Sequence, residues 1–387
     1  MKKKLAIIGK GTAGAFSATH FMRWTDWDID WYFDHNIKPQ AVGEGSNLVF
    51  PLALYENIGF TYQDLKKLDG TVKESIYKQN WGTNVKEFHH HFSPPNIGIH
   101  FNAVKFQEYI FSLVQNNKRF KFIEKNVLSD QIDADFIMDC SGKPEINKEN
   151  FIESNYIPVN SVHVNQCMWE YPRFQYTLTI ARPYGWVFGI PLQNRCSIGY
   201  LYNNNINTLE EVKEDVKNIF EEFNLVPSGI TNTFSFGNYY RKENYSKRIS
   251  YNGNASFFLE PLEATSISTM DLIQRSAFSL WTGEASLDRV NNLYFDTINE
   301  VEAMIMLHYY AGSSFDTRFW SMAKNNGKLK IDQAIKNSKL VDMILQSDTI
   351  KFGYLKEKFE YGTWNPISFN QNLTQLGIRN TLQKYIN

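Results

Sequence analysis

Cysteine is scarce in this chain of 387 residues, which contains only Cys140, Cys167 and Cys196 and no C-x-x-C pair. An odd number of isolated cysteines argues against a disulfide framework and favours a reducing compartment, so we expect a cytoplasmic location. Long apolar runs are also missing: none approaches the roughly 18 residues of a membrane-spanning helix. The apolar stretch near the start ends at Gly9, which is too early for a signal peptide.

Charge of one sign is not in excess, because 40 Lys and Arg residues face 41 Asp and Glu residues and give a net charge of -1. This balance gives no electrostatic reason to expect a nucleic acid or an anionic membrane as a partner. A G-x-S-x-G nucleophile motif is absent as well, so hydrolase chemistry has no support. Aromatic residues are abundant at 15%, which suits a pocket for a flat organic molecule.

The beginning of the chain has the pattern of a dinucleotide-binding βαβ unit. An apolar strand, Leu5 to Ile8, is followed by the loop GKGTAG at 9–14 and a helical segment from Ala15 to Trp24. A second strand, Asp28 to Phe33, ends at Asp34. The motif G-x-G-x-x-G lies at the first turn, with an acid about 20 residues further on. We therefore predict a Rossmann-type fold, although the motif does not separate FAD from NAD.

Each residue of this motif has its own expected task. Gly9 makes the tight turn, Gly11 lets the pyrophosphate approach, and Gly14 lets the helix pack closely on the strand. Asp34 is expected to bind the ribose. Thr12 and Ala13 complete the cofactor-binding loop.

Later segments return to the same sheet and enclose an insertion. Residues 134–142 and 249–260 each have a short strand followed by a turn, whereas the region between them is rich in strands apart from a helical pattern at 207–223. From about residue 284 the pattern is mainly helical. We therefore expect a first FAD-binding part at 1–149, an inserted substrate region at 150–235, a return segment at 236–285 and a helical substrate region at 286–387.

The segment FFLEPLEATS at 257–266 predicts a strand that stops at Pro261 and a helix that starts near Thr265 or Ser266. Small hydroxyl residues are good N-caps, and the backbone N–H groups of a helix start attract anions. Glu263 beside such a start is an unusual combination, which suits a site that handles an anion and a proton together. The alternative is structural, with the acid simply complementing the helix dipole.

Three motifs in order, GKGTAG at 9–14, GWVFGIP at 185–191 and FFLEPLEATS at 257–266, resemble the flavin-dependent tryptophan halogenase family. The family's G-W-x-W-x-I-P has Phe188 here as its second aromatic residue. Its P-L-E-S-T-G has Ala264 and Ser266 in place of serine and glycine. Further segments resemble the family at VGEGS (42–46), TVKESI (71–76), HFNA (100–103), LHY (307–309) and DTRFW (316–320).

The resemblance implies an α/β fold: a FAD-binding Rossmann-type domain like those of glutathione reductase and hydroxybenzoate hydroxylase, an inserted β-sheet substrate region and a helical C-terminal region. It also implies FADH2 supplied by a flavin reductase, either in a transient complex or by diffusion. Oxygen and a halide ion (chloride, bromide or iodide) then yield hypohalous acid, which a lysine holds beside an electron-rich aromatic substrate of the indole or phenol type. By motif position the lysine is Lys73 and the catalytic acid is Glu263.

The resemblance also assigns residues around these two. The remaining expected cofactor-binding residues are Glu44, Ser46, Gly253, Asn254 and Pro261. Thr265 and Ser266 are expected to bind the halide, and Trp186 and Phe188 to separate flavin from substrate. By residue type alone, Lys73 would instead be a solvated surface lysine and Trp186 a core residue.

Two other functions stay open. A FAD-dependent aromatic monooxygenase would use the same fold to hydroxylate, and the changes at Ala264 and Ser266 favour it. A degenerate FAD-binding protein would have no reason to keep both Lys73 and Glu263. His89 and His91 would share one face of a strand, but no spaced Cys or acid completes a metal site, so we predict no metal. A homodimer is left open.

Overall fold

The structure is a computed structural model that describes residues 2–37, 44–92, 97–349 and 360–385. Strands β1 to β17 lie, in chain order, at Lys4–Ile8, Asp28–Phe33, Thr71–Lys73, Ser75–Gln79, Glu87–His91, Gly98–His100, Phe120–Glu124, Phe136–Asp139, Phe151–Glu153, Ser161–Met168, Tyr176–Arg182, Gly185–Pro191, Arg195–Tyr202, Val226–Ser235, Tyr239–Arg241, Ile249–Tyr251 and Phe257–Phe258. Helices α1 to α10 lie at Thr12–Trp24, Val49–Ile58, Ala103–Val114, Leu209–Glu222, Thr265–Trp281, Leu287–Ala311, Arg318–Ala334, Ser338–Thr349, Pro366–Leu376 and Arg379–Gln383. Within the described ranges, none of these helices has the length and apolar character needed to cross a bilayer.

The chain divides into two compact units, each built from three separate segments. The first unit comprises Met1–Val72, Gly98–Glu153 and Tyr239–Asp296. The second unit comprises Lys73–Ile97, Ser154–Asn238 and Thr297–Asn387.

A parallel sheet lies at the centre of the first unit, with its five strands in the order β16-β8-β1-β2-β7. Leu5, Ile7 and Ile8 are at most 5% exposed, as expected for a parallel strand that is covered on both faces. Helix α1 connects β1 to β2, so the predicted βαβ unit is confirmed. The Rossmann-type core predicted from the glycine motif is therefore present.

A larger sheet forms the second unit, with seven strands in the order β14-β10-β13-β12-β11-β4-β5. Its pairs are antiparallel except β11 with β4. One face buries apolar side chains of the strands against Val212 and Val216 of α4. Helix α4 begins where Thr208 and Glu211 form a capping box, a signal that is legible in the sequence. The strands and the helix predicted within 150–235 are present, and β4 and β5, from the segment predicted as the first FAD-binding part, join the same sheet.

The C-terminal region is mainly helical, as predicted, from α6 to α10. Helix α6 belongs to the first unit up to Asp296 and to the second unit from Thr297. Helix α9 starts at Pro366 behind the N-cap Asn365, whose side chain accepts a hydrogen bond from the Ser368 N–H. This combination of an Asn cap and a following proline is a strong local start signal.

Candidate functional site

The glycine-rich loop has the geometry that its three glycines predict. Gly9 has a φ of 91°, and a Cβ there would lie 2.3 Å from the carbonyl oxygen of Cys140. A Cβ at Gly14 would lie 2.0 Å from the carbonyl oxygen of Gly9. A Cβ at Gly11 would meet nothing within 4 Å. Two of the glycines are therefore required by packing, whereas Gly11 faces open space at the start of α1.

The start of α1 is suited to a phosphate group. Gly11 is the N-cap of the helix and has no side chain that could accept a hydrogen bond. The N–H groups of the first turn, at Thr12 and Ala13, are therefore not capped by the N-cap residue. Such a helix start carries a partial positive charge that attracts phosphate.

The predicted ribose-binding acid follows directly after β2. Asp34 is half-buried, and its Oδ1 accepts a hydrogen bond from the Asn36 N–H at 2.8 Å. This contact stabilises the turn at residues 34–37.

The segment that contains Glu44 and Ser46 is packed against β6 and α3. The Glu44 side chain is 2% exposed, and its Oε1 accepts a hydrogen bond from the Ala103 N–H at 3.4 Å. Ser46 Oγ accepts a hydrogen bond from the Ile99 N–H at 3.0 Å. Val42 and Gly43, the first two residues of this predicted flavin loop, lie outside the described residues.

A turn at residues 252–254 lies against the glycine-rich helix. Gly253 has a φ of 59°, and a Cβ there would lie 2.7 Å from the Ala13 Cβ. Asn254 is half-buried, and its carbonyl accepts a hydrogen bond from the Tyr239 hydroxyl at 2.8 Å. The structure thus brings two predicted cofactor segments together.

Asn252 organises this turn, and sequence reasoning missed it. Its side chain is fully buried, and Nδ2 donates at 3.2 Å both to Ser17 Oγ and to the Met270 carbonyl. Its Oδ1 accepts from the Gly253 N–H at 2.8 Å. Asn252 therefore links α1, the turn and α5. The signal was an Asn-Gly pair, which is typical of tight turns.

The segment 257–266 has an unusual backbone. Pro261 is exposed, and a 3₁₀ turn at Leu262–Ala264 follows it. Glu263 and Ala264 both have positive φ angles, 70° and 54°. Two consecutive non-glycine residues in this region are strained, and such strain clusters at functional sites. The Glu263 side chain is buried, at 7% exposure.

Helix α5 starts at Thr265, as predicted, but the predicted hydroxyl cap is wrong. Its N-cap is Ala264, which has no side-chain oxygen. Thr265 Oγ1 is buried and has no hydrogen-bond partner among the described residues, while Ser266 is half-buried. A helix start without a side-chain cap, next to a buried hydroxyl, can bind a small anion.

Lys73 in the second unit is buried rather than solvated, with 1% of its surface exposed. It is the last residue of β3, and its Nζ lies 5.7 Å from the centre of the Phe92 ring. Burial of an ammonium group costs free energy, so lysine is rarely found inside a protein. Such a lysine is a candidate functional residue. Glu263 belongs to the first unit.

The predicted barrier residues lie on β12 in the second unit. Trp186 is 1% exposed, and Phe188 is half-buried, with 6.4 Å between their ring centres. A Cβ at Gly199 on the neighbouring strand would lie 2.1 Å from Phe188 Cζ. The absence of a side chain at Gly199 therefore makes room for the Phe188 ring.

His89 and His91 share one face of β5, and their rings stack at 5.2 Å. His89 Nδ1 lies 2.9 Å from Ser75 Oγ. Burial, and to a smaller extent the charge of His91, lowers the pKa of His89. Across the part of the chain that the structure describes, no group of three or more His, Cys, Asp or Glu residues could hold a metal ion.

A Rossmann-type sheet with a glycine-rich loop at the start of its first helix is the architecture typical of dinucleotide-binding proteins. The family model described as "Tryptophan halogenase" matches residues 4–130 and 114–383. The chain belongs to this family, and the resemblance stated from its motifs is confirmed.

Two curated relatives support the assignment. The chain is 25% identical to tryptophan 6-halogenase ThaL of Streptomyces albogriseolus over 281 residues, 62% of this chain and 50% of that protein. It is 24% identical to tryptophan 7-halogenase RebH of Lentzea aerocolonigenes over 275 residues, 64% of this chain and 49% of that protein. The chain thus spans about half the length of the curated relatives it matches.

Solved structures show the same fold over nearly the whole chain. A tryptophan halogenase from Shewanella frigidimarina matches with a TM-score of 0.78 at 17% identity, covering 99% of this chain and 93% of that one. BrvH, a flavin-dependent halogenase from Brevundimonas sp. BAL3, matches with a TM-score of 0.77 at 19% identity, and the match covers 97% of this chain and 90% of that one.

Two glycine substitutions separate packing from cofactor binding. Gly14→Ala is expected to destabilise the protein by about 1–3 kcal/mol, because its Cβ overlaps a backbone oxygen. Gly11→Ala is expected to lower stability by no more than about 1 kcal/mol yet to weaken FAD binding at least about tenfold, since the methyl group fills the approach to the helix start. Thermal melts and FAD titration measure the two effects. Parental FAD affinity in Gly11→Ala would contradict the role given to this space.

Proposed function

We propose that the protein is a flavin-dependent halogenase that uses FADH2, oxygen and a halide to halogenate an electron-rich aromatic substrate of the indole or phenol type. When bound, the reduced flavin would activate oxygen, and oxygen would supply the oxidising equivalents that convert halide to hypohalous acid. The observation that carries the proposal is that the lysine at the family's motif position, Lys73, is buried at 1% exposure beside the Phe92 ring, where water that would destroy hypohalous acid is excluded.

The first unit is the proposed flavin-binding part. The space at Gly11, the close packing of Gly253 on Ala13 and the acid at Asp34 fit a dinucleotide whose pyrophosphate lies at the start of α1. Glu44, Ser46, Asn254 and Pro261 are proposed to complete this site. The substrate is proposed to bind to the strand-rich and helical regions, 150–235 and 286–387, and a separate flavin reductase to supply FADH2.

The start of α5 is the proposed halide site. The helix has no side-chain cap, and the buried hydroxyl of Thr265 has no hydrogen-bond partner among the described residues. Backbone N–H groups at Thr265 and Ser266 would donate to the anion. The strained backbone at Glu263 and Ala264 would hold the helix start in this orientation.

The proposed catalytic roles follow from the chemistry of the two side chains. Lys73 would donate a hydrogen bond to hypohalous acid, or form a haloamine with it, and so hold the halogen for transfer. Glu263 would orient the oxidant or accept the ring proton when the substrate regains its aromaticity. Trp186 and Phe188 would exclude water that destroys the oxidant.

A second candidate function is aromatic hydroxylation, which the departures at Ala264 and Ser266 favour because they alter the proposed halide loop. One incubation separates the two: protein, FAD, a flavin reductase and NADH with a panel of indoles and phenols, in chloride, bromide or iodide. Mass spectra of the products are expected to show the isotope pattern of chlorine or bromine, or the mass of iodine. A single added oxygen with every halide would establish hydroxylation, and no product with any substrate would favour a degenerate flavin-binding protein.

A further inference from the structure

A second buried lysine, Lys78, lies at the centre of a polar cluster in the second unit. Its Nζ is 2.8 Å from His308 Nε2 and 2.5 Å from Asn372 Oδ1. All three side chains have 0% exposure. They come from β4, α6 and α9, so the cluster joins three elements that are far apart in sequence. We call Lys78, His308 and Asn372 the lysine cluster.

The hydrogen bonds from Lys78 to His308 and Asn372 have a defined direction. His308 Nδ1 lies 3.2 Å from the Met304 carbonyl, which can only accept, so Nδ1 carries the proton. His308 Nε2 therefore accepts from Lys78. Asn372 Nδ2 donates to the Ser368 carbonyl at 2.9 Å, which turns the amide oxygen toward Lys78. The cluster thus imposes one orientation on the imidazole ring.

The imidazole ring supports a tryptophan that packs against the predicted barrier. The His308 ring packs edge-on against the Trp81 ring, with 5.6 Å between their centres. The centres of the Trp81 and Trp186 rings are 6.4 Å apart. Trp81 is also fixed by a hydrogen bond from its Nε1 to the Thr179 carbonyl at 3.1 Å. The order of contact is therefore Lys78, His308, Trp81 and Trp186.

The sheet register gives a second link. Lys78 pairs with Thr179, which pairs with Phe188. Directly paired residues point to the same face of a sheet, so Lys78 and Phe188 lie on one face, two strands apart and therefore about 10 Å from each other. The lysine cluster and both barrier residues occupy this face, because Trp186 and Phe188 are two positions apart.

An apolar side chain at position 78 would fill the same space without the cost of burying an ammonium group. The hydrogen bonds of the lysine cluster do what such a side chain would not: they hold one ring orientation. We propose that Lys78 is a positioning residue, which acts through His308 and Trp81 to hold the Trp186 wall that keeps hypohalous acid from water. This inference rests on the proposed halogenase function.

The test is Lys78→Met, which keeps the length of the side chain but removes its charge and donors. The readout is the ratio of halogenated product to oxidant released, the latter as hydrogen peroxide and hypohalous acid, together with FAD affinity and melting temperature. We expect the ratio to fall about tenfold or more, since small displacements at a reacting centre have effects of this size. FAD affinity should stay within twofold of the parent.

Lys330→Met is the matched control. Lys330 is another buried lysine of the second unit, 3% exposed. Its Nζ lies 2.5 Å from Glu302 Oε2 and 3.3 Å from Asn299 Oδ1, and neither partner belongs to the lysine cluster. We expect this variant to lose stability and to keep the parental product ratio.

His308→Gln keeps the proposal testable if Lys78→Met fails to fold. The glutamine oxygen can still accept from Lys78, but the ring against Trp81 is lost, so the product ratio should fall as well. A parental ratio in either folded variant, or an equal fall in Lys330→Met, would overturn the positioning role while leaving the halogenase function standing. A parent protein that makes no halogenated product would refute the proposed function, and the positioning role with it.

Discussion

Replacing Lys73 by methionine is expected to lower halogenation at least ~100-fold, the size of effect seen when one stabilising donor is removed from an enzyme site. FAD affinity should be unchanged. The melting temperature checks that the variant is folded, since the side chain at position 73 is 1% exposed. Product mass spectra, FAD titration and thermal melts measure the three quantities.

The control for this prediction is again Lys330→Met. Lys330 is buried beside a carboxylate, at 2.5 Å from Glu302 Oε2, so its removal leaves an uncompensated acid and should lower stability. Halogenation should persist. The two variants are thus expected to separate activity from stability: Lys73→Met loses halogenation, whereas Lys330→Met loses stability and keeps halogenation. Full halogenation by Lys73→Met would refute the role given to Lys73.

Glu263→Gln is expected to lower halogenation about 100-fold or more, in the range typical of a lost general acid or base. Glutamine keeps the size of the side chain and can stay in the left-handed backbone conformation of Glu263, where φ is 70°. Only the charge and the proton-accepting oxygen are lost. Initial rates of product formation at saturating FADH2 and halide measure the effect.

Asp69→Asn is the matched control for Glu263→Gln. Asp69 is also an acid of the first unit with a positive φ, 53°, and 9% exposure. Its Oδ2 lies 3.6 Å from Lys105 Nζ, an ion pair at the end of a 3₁₀ turn. Loss of this charge should leave halogenation close to the parental rate. If both variants lose activity equally, the effect belongs to folding of the first unit rather than to catalysis by Glu263.

Much of the fold was predictable because the relevant signals are local. The βαβ unit follows from an apolar strand, three spaced glycines and an acid, all within residues 5–34. The start of α5 at Thr265 follows from the change of pattern after Pro261. Interactions between residues close in sequence determine both the βαβ unit and the start of α5, so both can be predicted from one sequence.

The features that were missed depend on long-range packing. The burial of Lys73 is set by the residues that surround it, which a residue-type expectation cannot know. The predicted hydroxyl cap of α5 was wrong because Ala264 occupies the N-cap position and Thr265 is already the first residue of the helix. The partners of Lys78 are 230 and 294 positions away in the chain. Only the folded chain brings such groups together.

The close fit between Phe188 and Gly199 has a consequence for engineering. The two residues are register partners on adjacent strands, and the ring occupies the volume that any side chain at position 199 would need. The size of side chain that position 188 can accept therefore depends on the residue at position 199, and the reverse is also true. Mutant libraries that aim to alter substrate scope at position 188 should vary Gly199 in the same clone, since single-site scanning would discard combinations that succeed only as a pair.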